Sequence, residues 1–262
     1  MKFGMCTADL SKENLNYLKS IGYDYVEANF KKFAALTEEE FAVLLAGVKA
    51  AALPVLTANS MLPSIYKIAA DGFDFASVRD YLQKGFARAY QLGVQKVVFG
   101  SGGARSTPDG VDKNEGYLRI VNFLKEAAKI ANQYDIIIVI EPLSPFECNL
   151  INTVAQSARL AADTSEDNIK AHADLFHIRH SKDNVDNINA LKGILAHAHI
   201  SNPMTRMFPK RLCETDYDTY MQALADISCD TCSVEGWAVF FNSAAKKAIN
   251  LLKGIRIIKK NN

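Results

Sequence analysis

The chain has 262 residues, 49% of them hydrophobic, enough for one large core; α/β barrels commonly reach about 250 residues as one domain. Its 30 basic and 29 acidic residues give a formal charge of +1, which argues against broad electrostatic binding to nucleic acid or to a membrane surface. No apolar run approaches the roughly 20 residues of a membrane span, the opening MKFGMCTADLSKENL lacks the apolar core of a signal peptide, and five scattered cysteines suit a reducing, cytoplasmic setting.

Short apolar runs alternate with longer amphipathic stretches. Strands are expected over 2–7 (KFGMCT), 23–29 (YDYVEAN), 53–59 (LPVLTAN), 95–101 (QKVVFGS), 135–141 (DIIIVIE), 168–174 (NIKAHAD), 195–201 (LAHAHIS) and 231–237 (TCSVEGW). One helix opens after a capping serine, Ser11, and stops at Gly22; another starts in a capping box, Thr37 with Glu40. In NEGYLRIVNFLKEAAKIANQY the helical period puts Leu118, Val121, Leu124 and Ala128 on one face. The last helix, SAAKKAINLLKGI, is expected directly after the eighth strand.

Strict alternation implies a parallel sheet, and eight strand–helix units imply closure into a (β/α)8 TIM barrel, one domain over 1–262. A doubly wound open sheet is the alternative, but its nucleotide fingerprint is incomplete: GSGGAR at 100–105 has Arg105 where a third glycine belongs. These glycines read more simply as a strand end that something approaches closely. Cys229 and Cys232 form one CxxC with no second pair to complete a structural zinc site.

A barrel gathers its chemistry at the C-terminal ends of its strands. The first four strands offer Thr7, Asp9, Glu27, Asn59, Ser101 and Arg105; the last four offer Glu141, Asp174, His199 and Glu235. Any one carboxylate at a strand end is more often merely solvated. Four metal-ligand types on four successive strands form a pattern, and they converge on one point at the barrel mouth. Three carboxylates and one imidazole favour Mn²⁺ or Mg²⁺, with Co²⁺ also compatible, over a thiolate-held zinc. A cation would also hold Glu141 ionised at the end of the apolar run 136–140, where a lone carboxylate is costly. All five histidines fall between 172 and 199. By strand alternation His172 and His197 lie one layer below Asp174 and His199, as hydrogen-bonded interior residues. His180 is expected in a surface loop, and His177 in the loop above the mouth, within reach of a substrate oxygen.

EPLSPFECNLINT, 141–153, closely resembles the strand-five motif of the D-tagatose 3-epimerase and D-psicose 3-epimerase family of xylose isomerase-like TIM barrels. ADLFHI resembles that family's strand-six Asp-x-x-His, HAHISN its strand-seven histidine pattern, and SVEGW its strand-eight glutamate. The resemblance covers about 139–237; before that, only the rhythm of strands and helices matches. It implies that Glu141, Asp174, His199 and Glu235 bind the metal, that Glu141 and Glu235 are also the acid–base pair, and that Glu147, His177 and Arg206 contact a sugar. It further implies a homodimer or homotetramer. Three departures stand out: Pro145 replaces an arginine of well-known members, Asn202 replaces an acid, and Arg206 lies one residue further from His199.

The activity so implied is ketose 3-epimerisation. A metal chelated by the carbonyl oxygen and a neighbouring hydroxyl stabilises a cis-enediolate, while two glutamates remove a proton from one face of the carbon and return one to the other. The same metal site would serve an aldose–ketose isomerase or an inosose-type dehydratase. A non-catalytic sugar-binding barrel is the reading outside enzymes, and retention of both glutamates opposes it. A DNA-cleaving relative with a zinc cluster would need early histidines, and none precedes His172.

Overall fold

The computed structural model describes residues 1–258; the last four residues of the expected 1–262 unit, 259–262, lie outside the described residues. Eight parallel strands close a barrel in chain order: β1 Lys2–Cys6, β2 Tyr25–Asn29, β3 Val55–Asn59, β4 Lys96–Phe99, β5 Ile137–Ile140, β6 Ile169–Asp174, β7 Leu195–Ile200 and β8 Thr231–Val234. β1 pairs with β8, Lys2 opposite Thr231 through Met5 opposite Val234, and this pairing closes the ring. Each expected strand is present, shorter by one to three residues. Glu141 and Glu235 stand one residue beyond β5 and β8, yet their amides still donate to Phe99 O (3.2 Å) and Ile200 O (3.1 Å). They are therefore the rigid end of the ladder rather than the start of a loose loop.

Around the barrel run α1 Lys12–Ile21, α2 Phe30–Ala35, α3 Glu38–Lys49, α4 Ala76–Leu92, α5 Gly102–Arg105, α6 Lys113–Asn132, α7 Val154–Thr164, α8 Leu175–His180, α9 Tyr217–Asp226 and α10 Phe241–Gly254. The expected caps are in place. Ser11 accepts from Asn14 N, Gly22 ends α1 at φ 105°, and Thr37 with Glu40 closes a reciprocal box on α3. No described helix is long and apolar enough to cross a membrane.

Three expectations are corrected. Leu118 is 59% exposed; α6 buries Ile120, Val121, Phe123, Leu124, Ala127 and Ala128, a face rotated away from it. After the sixth strand, where His177 and His180 are expected in loops, six-residue α8 carries both histidines and a 3-10 turn, Val185–Leu191, follows. The final helix begins at Phe241, so residues 235–240 form a mouth loop first.

Two ladder irregularities lie beside the polar interior. Val26 pairs with Val55 but Glu27 with Thr57, so Leu56 is an extra residue in β3; Ala171 pairs with Leu195 but His172 with His197, so Ala196 is extra in β7. Such bulges re-aim side chains and are common near functional sites. Here they set Thr57 beside Glu27, and Asp174 beside His199.

Candidate metal and sugar site

Four strands deliver four side chains to one point. Glu141, Asp174, His199 and Glu235 each offer a ligand atom, and these atoms all lie within 4.8 Å of one another. His199 is the hub: its Nδ1 is 3.1 Å from Glu141 Oε1, 3.5 Å from Glu235 Oε2 and 3.7 Å from Asp174 Oδ2. Asp174 divides its work. Oδ1 caps α8 by accepting from His177 N at 3.1 Å, whereas Oδ2 is buried without a hydrogen-bond partner. An orphaned carboxylate oxygen among two more carboxylates and an imidazole nitrogen is a costly arrangement unless a cation joins them. The donor set therefore fits a divalent metal of the oxygen-preferring kind. Two other histidine, cysteine or carboxylate groups come together nearby, His172 with His197 and His199, and Cys6 with Glu27 and His199.

The glycines at the end of β4 make room for this group. A Cβ on Gly100 would fall on Glu141 Oε2, and one on Gly102 would meet the Glu147 carbonyl at 2.6 Å. Buried Arg105 donates to the Phe99 carbonyl (3.1 Å) and the Glu141 carbonyl (2.6 Å), tying the ends of β4 and β5 together.

The residues expected to touch a substrate are also here. Arg206 donates through Nη1 to Glu147 Oε1 and through Nη2 to Glu235 Oε2, both at 2.8 Å, and its guanidinium lies over the Phe176 ring. His177 accepts the Ser144 amide on Nδ1 at 3.0 Å. Its Nε2 lies 3.4 Å from Arg206 Nη2 and 3.9 Å from Glu141 Oε1. A tight turn holds Arg206. Asn202 Oδ1 accepts from Met204 N and Thr205 N, Asn202 O accepts from Arg206 N, and Arg206 itself is left-handed at φ 55°. Trp237 N then donates to Arg206 O, stitching the loops after β7 and β8 together.

The charges are uneven. Burial and the neighbouring Glu235 charge push the Glu141 carboxyl up from its ordinary value. Burial would also raise Glu235, but His199 and Arg206 outweigh it and hold that carboxyl far below the usual range. Without a cation among them, the two carboxyls are pushed in opposite directions.

Of the other histidines, His197 is hydrogen-bonded inside the barrel as expected. His172 is not: both ring nitrogens are buried without partners, its ring packs edge-on to His199 at 4.2 Å, and burial followed by the His199 charge keeps it neutral. His180 ends α8 half-buried against Phe176, at 4.3 Å between ring centroids, rather than in a surface loop. Two residues gained importance. Asn59 Nδ2 reaches Glu235 Oε1 at 3.3 Å, and Glu27, fully buried, bonds both His197 and His199. Their sequence signal was position alone, as polar residues within or ending apolar strands.

The closed barrel and a match of residues 15–255 to the xylose isomerase-like TIM barrel model place the chain in that family. The chain is 32% identical over 98 residues to the D-psicose 3-epimerase of Agrobacterium fabrum, spanning 37% of this chain and 34% of that protein. It is 31% identical over 117 residues to the "Putative hydroxypyruvate isomerase" of Drosophila melanogaster, spanning 44% of this chain and 42% of that one. The chain thus aligns with well under half the length of these curated relatives. In fold it is similar to the D-psicose 3-epimerase of Clostridium cellulolyticum H10, solved with D-tagatose, at a TM-score of 0.85 and 18% identity, over 98% of this chain and 100% of that one.

Proposed function

We propose that the protein is a divalent-metal-dependent ketose 3-epimerase, carried by one barrel domain, with Mn²⁺ as the working ion. The observation that carries this reading is the pair Glu141 and Glu235, which share one ligand group with Asp174 and His199 at the mouth of the barrel. A divalent ion bound there supplies polarisation of the sugar carbonyl and a counter-charge for the oxygens when the carbon loses its proton.

The protein's side chains do the rest. Glu235, paired with Arg206, takes the proton from C3. Glu141, bearing a proton in this direction, delivers it to the opposite face, and the roles exchange in the reverse direction. Each positioned acid or base contributes about 10² to 10⁴ in rate. Arg206 and Glu147 form a polar wall beside Glu235, and His177 places its Nε2 beside Arg206 on the same wall, within reach of the sugar oxygens. Aldose–ketose isomerisation is the second reading, favoured by the isomerase name of the Drosophila relative, whose similarity matches that of the epimerase.

A panel of free and phosphorylated ketoses, incubated with the protein with and without MnCl₂, tests the proposal. It expects Mn²⁺-dependent appearance of a C3 epimer from at least one free ketose. No turnover of any ketose by metal-loaded protein would leave a binding barrel and overturn it.

A further inference from the structure

A polar chain runs from the metal-ligand group down through the barrel core to its opposite end. Lys96, at the base of β4 and 7% exposed, donates to the carbonyl of the extra residue Ala196 (2.8 Å), to Thr231 Oγ1 (3.0 Å) and to Asp230. Thr231 Oγ1 meets His197 Nδ1 at 2.9 Å, His197 Nε2 meets Glu27 Oε2 at 2.8 Å, and Glu27 Oε1 meets His199 Nε2 at 2.8 Å. Thr57 and Ser233 hydroxyls also donate to Glu27 Oε2, at 2.8 and 2.7 Å, and Tyr25 backs Ser233.

The direction of the bonds at Glu27 is determined. An ammonium can only donate, so Thr231 Oγ1 accepts from Lys96, and the hydroxyl and carbonyl of Thr231 both face His197 Nδ1, at 2.9 and 3.2 Å. His197 carries a proton on Nε2 and gives it to Glu27. A carboxylate can only accept, so His199 must carry a proton on Nε2 as well. In the neutral imidazole that a metal needs, Nδ1 is then the lone pair, and Nδ1 is the atom facing Glu141, Asp174 and Glu235.

We infer that Glu27 is a positioning residue of the metal centre: from the barrel core it fixes the tautomer and ring orientation of His199, so that Nδ1 points into the ligand group. This rests on the proposed metal set. It assigns a role to a carboxylate outside that set, in the manner of acidic partners that orient metal-binding histidines elsewhere. An amide cannot replace it, because its oxygen can accept from one histidine only while its NH₂ opposes the other.

Two measurements test the inference. Titration of MnCl₂ into wild type and Glu27→Gln, each checked for folding by circular dichroism, should show affinity 10- to 100-fold weaker in the variant. In Mg²⁺-loaded wild type with ¹⁵N-labelled histidine, both His197 and His199 should carry their proton on Nε2; this needs no variant and stands even where Glu27→Gln does not fold. A folded Glu27→Gln protein binding Mn²⁺ within twofold of wild type, or a proton on His199 Nδ1 in the loaded protein, overturns the positioning role while leaving the metal set intact. Wild type that binds no Mn²⁺ overturns both. A loss of thermal stability in Glu27→Gln with unchanged affinity marks a merely structural residue, and contradicts the inference.

Discussion

Arg206 Nη2 lies 2.8 Å from Glu235 Oε2, so a guanidinium from the loop after β7 neutralises the carboxylate at the end of β8. With His199 it overcomes the burial that would otherwise raise that carboxyl, and holds it ionised. Removing the cation must let the pKa climb. In Arg206→Met, the acid limb of the pH–rate profile should move to higher pH and turnover should fall at least tenfold, with Mn²⁺ still bound. An unmoved acid limb would separate Arg206 from the base.

The four converging ligands should behave as one unit. Asp174→Ala and His199→Ala should each abolish tight Mn²⁺ binding, measured as metal content after dialysis. Glu147→Gln and His177→Ala should keep the metal and lose turnover, since both stand beside the group rather than in it. Metal loss in either of the last two would mean that the ligand set is wrong.

Metal binding should depend on pH with a definite sign. Burial would lower the His199 pKa, but the Glu27 and Glu235 charges outweigh it and hold the imidazole well above its ordinary value. In metal-free protein this protonation stabilises the fold fully below about pH 6.5, the unfolded value, and is lost as pH rises through the folded value. Mn²⁺ must displace that proton. Its affinity should therefore climb by up to about tenfold per pH unit as pH rises through neutrality, until the raised folded value is passed. Titrations that give one affinity across this window would contradict the assignment of His199 as a ligand.

Glycine at the site is a requirement of space. A side chain on Gly100 would displace the Glu141 carboxylate, so Gly100→Ala should remain folded yet bind Mn²⁺ poorly. Gly4→Ala acts elsewhere, pressing on the Tyr25 ring and Ser233 Oγ inside the barrel. Its cost should be about 1–3 kcal/mol of stability, read as a lower melting temperature.

The barrel was legible because its signals repeat. Eight apolar runs, each ended by a polar residue, give the strand order and the mouth, and four successive ligand-type residues give the converging group. Glu27 was harder to read. As one carboxylate on an apolar strand it carries no periodic mark, and its partners sit 30, 170, 172 and 206 positions away, in β3, β7 and β8. Sequence alone makes His172 a hydrogen-bonded residue because buried polar groups usually are, yet Thr57, Ser233 and His197 all serve Glu27 and leave it none. Leu118 went astray because a wide apolar stripe on α6 tolerates a choice of faces. Short α8 is hard to read because six residues carry too little periodicity to mark a helix.

The central claim is that a proton moves at C3 of a ketose between two glutamates. The direct measurement is turnover of an accepted ketose by the Mn²⁺-loaded protein in D₂O, with the product identified and its label located by NMR. The account predicts the C3 epimer, with deuterium at C3 to the extent that the glutamates exchange with solvent between turnovers. An aldose as the sole product, labelled at C1 or C2, would contradict it and assign the same site to aldose–ketose isomerisation.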